Sequence, residues 1–289
     1  MYQCKILADS VGPTNHRLTT FEITYPRFVH AEFLTHRMIS RNSASSRAIP
    51  IERMIEAVRT NPVTPVHWGQ NQRGMQAHSE LDPLDQLRAV TVWLQHAELA
   101  ADAANALRLI GTHKQIANRP LEPFAWITTI ATATEWENFF ALRCHSDAQP
   151  ELQHIAKMMR DAYYRSLPTR LYAGEWHLPY ITDYDRDHHP DQLCAISAGR
   201  CARVSYLTHA GTVNPTADIE LTDRLVRSGH MSPLEHVARA LSPSEWFEYA
   251  DAAWARWRLQ GVPVGNLRGW GQYRKQHTGE HRFDGPQGK

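Results

Sequence analysis

The sequence predicts an α/β fold. Three observations predict it: an alternating strand near the start, two long stretches of helical apolar spacing in the middle, and a globular composition. Of 289 residues, 42% are hydrophobic and 21% charged, enough for one large core or two small ones.

The strand is "TFEITYP", which sets Phe21, Ile23 and Tyr25 against Thr20, Glu22 and Thr24 and closes at Pro26. That alternation reads as half-buried. The following "FVHAEFLTHRMIS" has helical spacing, with Ala31, Leu34 and Met38 on one face and Glu32, His36 and Ser40 on another. Residues 61–83 are rich in turn formers and predict a long ordered loop. From Leu84 to Ile110, the apolar positions Leu87, Val90, Leu94, Ala97, Ala101, Ala104 and Leu107 keep helical spacing, with Gly111 as C-cap. A second helix runs through "DAQPELQHIAKMMRDAYYRSL", with Leu152, Ile155, Met159 and Ala162 facing a core. "DYDRDHHPDQ" reads as a polar connector and "TGEHRFDGPQGK" as a tail.

The formal net charge of +1 provides no global field for nucleic acid or an acidic membrane, so any anion must be held by a local cluster. "MYQCKILADS" lacks a secretory pattern, and no apolar run approaches membrane-spanning length. Cys4, Cys144, Cys194 and Cys201 form no C-x-x-C pair, so reduced thiols in a cytoplasm are expected. The histidines match no zinc spacing and no metal is expected. Rossmann, P-loop and nucleophile-elbow motifs are absent.

Four segments carry candidate chemistry. In "HRMISRNSASSRAIP", Arg37 and Arg47 supply forked cations, and Ser43, Ser45 and Ser46 short neutral donors. The cluster reads either as a phosphate site or as a solvated helix end with a serine-rich turn. Arg119 and Arg143 lie in a largely apolar segment. Each needs an anion, either a structural carboxylate (Glu122, Glu135 or Glu137) or a ligand phosphate. Asn138 is a helix-surface amide or a ligand contact. In "RSGHMSPLEHVARAL", Gly229 ends a helix, and Ser232 and Glu235 fit the N-cap and N3 positions of a capping box. Capping leaves His230 and His236 without a role. In "GNLRGWGQYRKQ", Arg268, Gln272 and Arg274 are spaced to recognise an acid or a base edge, or form a basic surface.

Together these segments resemble one family. "THRMISRNSASSRA" is similar to the R-H-R-x-x-S-x-N-x-x-S-x-R signature of flavin-dependent thymidylate synthases. "CARVSY", "GHMSPLEH" and "IANRPLEP…EWENFFALRCHSDAQPE" resemble three further motifs of that family. The motif order departs from the common one: the CARVSY and SPLEH elements follow the signature here, as in a longer, rearranged branch. Thr35 stands at the signature's first arginine, Ser43 at a usual glutamate and Glu32 at a common glutamine. A contact normally made to nucleotide or flavin is therefore missing, and Arg268, Gln272 or Arg274 are candidates to restore it.

The resemblance implies a twisted sheet with surrounding helices, one domain over residues 1–289, and a homotetramer with shared sites. It implies FAD as cofactor, with NADPH and methylenetetrahydrofolate as cosubstrates, and C5 methylation of dUMP or UMP. It places His36, Arg37, Asn42, Asn138, Ser205, Ser232 and Glu235 on the flavin. Ser43, Ala44, Ser45, Ser46, Arg47, Arg119 and Arg143 fall to the nucleotide, with Ser45 and Arg143 catalytic. The alternative is a catalytically inactive member that binds a nucleotide or RNA, with Thr35 as its main argument. Cys144, between Arg143 and His145, has the cationic neighbour that lowers a thiol's pKa, yet the family requires no cysteine.

Overall fold

The computed structural model describes residues 1–204, 214–256, 265–277 and 280. In chain order the elements are β1 (Gln3–Val11), β2 (Arg17–Pro26), α1 (His30–Phe33), β3 (Ser40–Ser43), α2 (Ile51–Thr60), α3 (Pro83–Leu109), α4 (Lys114–Ala117), β4 (Trp126–Ala133) and α5 (Trp136–Arg143). There follow α6 (Pro150–Arg165), β5 (Thr169–Arg170), β6 (Trp176–His177), α7 (Asp183–His188), α8 (Leu193–Arg203), α9 (Pro215–Arg227), β7 (Ala238–Ala240), α10 (Pro243–Arg256) and β8 (Trp270–Gln272). Five strands form a sheet in the order β3-β4-β2-β1-β5, antiparallel except for β1 with β5. A second, antiparallel sheet has the order β6-β7-β8. The α/β class is as the sequence predicts.

The two faces of the larger sheet follow from the alternation in β2. Phe21, Ile23 and Tyr25 pair with Ala131, Thr129 and Ile127 of β4 and face α5 and α6. There Trp136 packs edge-on against Phe21 at 5.0 Å, and Leu152, Ile155 and Met159 of α6 are sealed, as expected. Thr20 and Thr132 point the other way, towards the smaller sheet. Thr20 Oγ1 lies 2.7 Å from Thr132 Oγ1 and 2.8 Å from His177 Nε2. Ser10 Oγ lies 2.9 Å from His177 Nδ1, and Thr132 Oγ1 2.8 Å from His236 Nδ1.

Three expectations are corrected. The helix through residues 28–40 is a single turn. That turn buries Phe33, with Val29 buried just before it, while Ala31, Leu34 and Met38 are exposed. Thr35 Oγ1 donates to the Glu32 carbonyl at 2.7 Å, beside the Thr35 amide at 3.2 Å. Glu32 O is thus taken by a local side chain, and the chain turns into β3. The polar connector is ordered: it contains α7, and Asp185 within it is fully buried. Asp185 takes two hydrogen bonds from Arg200 of α8, at 2.6 and 2.7 Å, while Arg200 Nε donates to Asp218 at 3.0 Å. Gly199 permits that contact, because a Cβ there would meet the Asp218 carbonyl at 2.2 Å. Finally, the capping box at Ser232 does not form. Residues Ser232–His236 are a 3-10 turn without a side-chain cap, and Glu235 instead accepts from Arg274.

The long helix and loop are as read, with Gly111 at φ 89° beyond the helix end; the structure adds Asp82 as N-cap of α3 and Pro83 in its first turn. Only the alanines Ala97, Ala101 and Ala104 of α3 are fully buried. Leu87 and Leu94 remain exposed. No helix among the described residues is long and apolar enough to cross a membrane.

Candidate active site

β3 is an edge strand, and the segment from His36 to Arg47 runs along that edge. Ala44 extends the pairing by donating its N–H to Thr128 O at 2.9 Å, and its side chain is buried. The turn beyond it is held from outside the strand. Asn118, fully buried, donates to the carbonyls of Ser46 (2.8 Å) and Ile49 (3.0 Å). Ser46, also buried, donates to Glu122 Oε1 at 2.6 Å. Glu122 further pairs with Arg27 and Arg119, both at 3.1 Å. Burial favours its neutral form, but Ser46, Arg27 and Arg119 together hold its carboxyl below the usual range. Arg119 is thus a surface cation on a structural carboxylate and not a buried one. Arg37 and Arg47 are exposed and pair with no described carboxylate, and Ser45 is half-exposed between them and the strand.

α5 delivers Arg143. Trp136, Phe139 and Phe140 fix the helix on the core, leave Asn138 in solvent and place Arg143 in the last turn, where the helix dipole favours a cation. Arg143 Nε donates to His36 Nε2 at 2.7 Å, and its NH2 group donates to Thr35 Oγ1 at 3.1 Å. The His36 ring also rests edge-on against Phe139, with centroids 4.9 Å apart. Burial, Arg143 and Arg41 push His36 down to about 4, so the ring is neutral. Because Nε2 accepts, the proton sits on Nδ1.

Arg143 is the one predicted site residue that lines a cleft of about 780 Å³. The cleft is walled by the 66–78 part of the loop, the start of α6 and Glu32, and includes His67, His78, Gln149, His154 and Lys157. Sequence reasoning missed these wall residues. The available signals were the turn-rich loop and the A-Q-x-E element holding Gln149.

The remaining predicted residues are dispersed. Asn42 Nδ2 donates to Cys201 O at 2.7 Å, which joins the signature to the CARVSY segment. Ser43 Oγ accepts from Thr129 Oγ1 at 2.9 Å. Ser205 lies outside the described residues. Ser232 is exposed. Gln272 is buried and committed to Asn266 Oδ1 at 2.8 Å and Ser40 at 3.4 Å. Arg268 faces Glu135 at 3.4 Å, and Arg274 pairs with Glu235 and Glu280. Arg143, and not this last segment, reaches Thr35. His230 is exposed, whereas His236 is sealed, with Nε2 lacking any partner among the described residues. All four thiols are free, and burial pushes each up, Cys4 and Cys194 to about 12. For Cys144 desolvation outweighs the neighbouring cations Arg160 and Lys157 and raises the thiol, opposite to the lowering that an adjacent cation alone would give.

The edge thus exposes the guanidinia of Arg37 and Arg47, and it is joined through His36 and Arg143 to the cleft. The model of the family Thy1, thymidylate synthase complementing protein, matches residues 8–169. The chain therefore belongs to this family, the flavin-dependent thymidylate synthases. Among solved structures it is similar to a UMP/dUMP methylase, PolB, from Streptomyces cacaoi bound with 5-Br UMP. That match has 17% identity and a TM-score of 0.46, over 57% of this chain and 89% of the other. A second PolB structure, bound with 5-Br dUMP, matches at 21% identity and a TM-score of 0.42, over 52% and 68%. No curated protein matches the chain.

Proposed function

We propose that the chain catalyses flavin-dependent C5 methylation of a uridine monophosphate, dUMP or UMP, with methylenetetrahydrofolate as carbon donor and NADPH as reductant. The observation that carries this is the 2.7 Å hydrogen bond between Arg143 and His36. It joins, across 107 residues, His36, assigned to the flavin, to Arg143, assigned to the nucleotide. The chain then acts as one unit, since Asn42 is likewise bonded to Cys201.

The residues fit a flavin dinucleotide. Its phosphates need cations that no carboxylate has claimed, and Arg37 is exposed and unclaimed among the described residues. FAD, when bound, supplies the reducing equivalents. His36 offers a neutral ring whose Nδ1–H is free to donate. The family resemblance adds Asn42, Asn138, Ser205, Ser232 and Glu235 to the flavin set. Arg47 and Ser45 hold the nucleotide phosphate, while Ser46, buried and bonded to Glu122, keeps the turn rigid together with Asn118. Arg143, held at Nε by His36, stabilises negative charge on the pyrimidine as C5 becomes nucleophilic. Leu34, Met38 and Leu142, exposed beside this site, suit contact with other subunits of a homotetramer.

The test is tritium release from C5-labelled dUMP and UMP in parallel, in a yellow preparation that bleaches with NADPH. Arg47→Ala and Arg143→Ala are expected to weaken nucleotide binding by about 2–5 kcal/mol and His36→Ala to lower flavin occupancy. Nucleotide binding without release from either substrate would favour the inactive, nucleotide-binding alternative.

A further inference from the structure

We infer that Lys114 is a further substrate-binding residue, the second cation of the site for the nucleotide's phosphate. This rests on the function proposed above and names a residue outside the segments that carry the family resemblance. A phosphomonoester carries about −1.5 to −2 charges at neutral pH, and Arg47 supplies one cation against it. The other arginines that the sequence offers for the nucleotide are held elsewhere. Arg119 is committed to Glu122 at 3.1 Å and to the Gln115 carbonyl at 3.2 Å. Arg143 is committed to His36 and Thr35.

α4 supplies the replacement. Lys114 opens this helix and Asn118 follows it four residues on, so both side chains reach one turn of the signature segment. Lys114 Nζ donates to Ala48 O at 3.1 Å, and Asn118 Nδ2 donates to Ser46 O and Ile49 O. Arg27 donates to Ala44 O at 3.3 Å, and the Ala48 N–H to Ser45 O at 2.9 Å. The carbonyls of Ala44, Ser45, Ser46, Ala48 and Ile49 are therefore engaged, and none of them is left to repel an anion. The turn presents donors instead, the Arg47 guanidinium and the Ser45 hydroxyl. Lys114 itself is half-buried and pairs with no carboxylate among the described residues. An ammonium has three donors, and one is used on Ala48 O. The other two stand beside the residue that follows Arg47 in the chain. A cation drawn partly out of water and left without an acid is stabilised when an anion binds it.

The experiment titrates the full-length protein calorimetrically with UMP, uridine and FAD. The wild type is expected to prefer UMP over uridine. Lys114→Met should reduce that preference by about 10-fold, the scale of one charged hydrogen bond, and bind uridine and FAD as the wild type does. Lys114→Arg, which keeps the charge and the donors, should retain most of the preference, and Arg119→Met should reduce it less than Lys114→Met. Thermal melting checks that each variant is folded. A lysine that only propped the turn would move UMP and uridine together. The inference is overturned if Lys114→Met keeps the preference, loses uridine to the same extent as UMP, or loses FAD in place of UMP. Tritium release from C5-labelled UMP in the same preparation separates this failure from that of the proposed function. Release with an indifferent Lys114 sinks this inference alone, whereas no release and no preference for UMP over uridine sinks the proposed function as well.

Discussion

The two faces of the five-stranded sheet solve opposite problems. One face carries Phe21, Ile23 and Tyr25 and closes on the rings of Trp136, Phe139 and Phe140. The other carries Thr20 and Thr132 and closes on His177 and His236, all four buried. On the first face each contact is non-directional and contributes in proportion to apolar area. On the second, every group depends on a named partner and on its protonation state. The signature strand β3 borders both, with Ser43 towards the ring-lined side and Asn42 towards the polar one. A rigid apolar side and a partner-dependent side thus meet at the candidate site.

The largest expected effect tests the ring-lined face. Trp136→Ala should cost about 3–5 kcal/mol in denaturant unfolding at neutral pH, because the side chain is sealed among Phe21, Phe139 and Phe140. A loss below 1 kcal/mol, on the order of a surface change, would mean that this face is not the main core.

Acid sharpens the contrast from the other side. Burial pushes His177 and His236 down to about 3, with the charge of His177 contributing to the lowering of His236. An unfolded histidine protonates near ~6.5, so between that pH and about 3 the unfolded chain binds protons that the folded chain refuses. Stability is complete above ~6.5 and falls as pH drops, at about 1.4 kcal/mol per pH unit for each histidine, or about 3 for the pair. His30 and His36, held near 4, steepen the same limb. Melting curves between pH 7 and 4.5 should show this loss, and His236→Asn should remove one histidine's share of the slope. An unchanged slope would contradict a neutral, buried His236.

Next in size is Thr132→Val, which keeps the shape and deletes the hydroxyl shared by Thr20 and His236. We expect a loss of about 1–3 kcal/mol at neutral pH, since His236 would then have no partner on either ring nitrogen. The smallest effect belongs to Arg274→Ala. Its pair with Glu235 is part-exposed, and such bridges are worth about 0–1 kcal/mol. Thermal melting that shows more than that would give Glu235 a structural role beyond the surface pair.

Legibility followed the same division. The alternation in β2 and the spacing of Leu152, Ile155 and Met159 were readable because a repeating apolar face reports on burial of its own element. The long loop was readable from its turn formers, and the end of α3 from Gly111; the Asp82 cap at its start was not read. The α1 segment misled because Leu34 and Met38 keep helical spacing while the Thr35 side chain takes the Glu32 carbonyl. Ser232 and Glu235 satisfy the capping pattern, yet Glu235 meets Arg274 from 39 residues away. Lys114 was passed over because nothing in its own segment marks it: its partner, Ala48 O, lies 66 residues away.

By itself the sequence determined the α/β class, the apolar face of the main strand, the family, and the basic, serine-rich character of residues 36–47, though not its place on a sheet edge. Each is carried by residue types at short, regular or motif-fixed spacing. Only the tertiary structure decided that Arg143 rests on His36, that Asp185 and Asp218 neutralise a buried Arg200, that Gln272 is committed to Ser40 and Asn266, and that a cleft opens beside Glu32. The physical reason is that a hydrogen bond between distant residues leaves no periodic trace in either segment. Its donor and acceptor are matched by the packing of the elements that carry them.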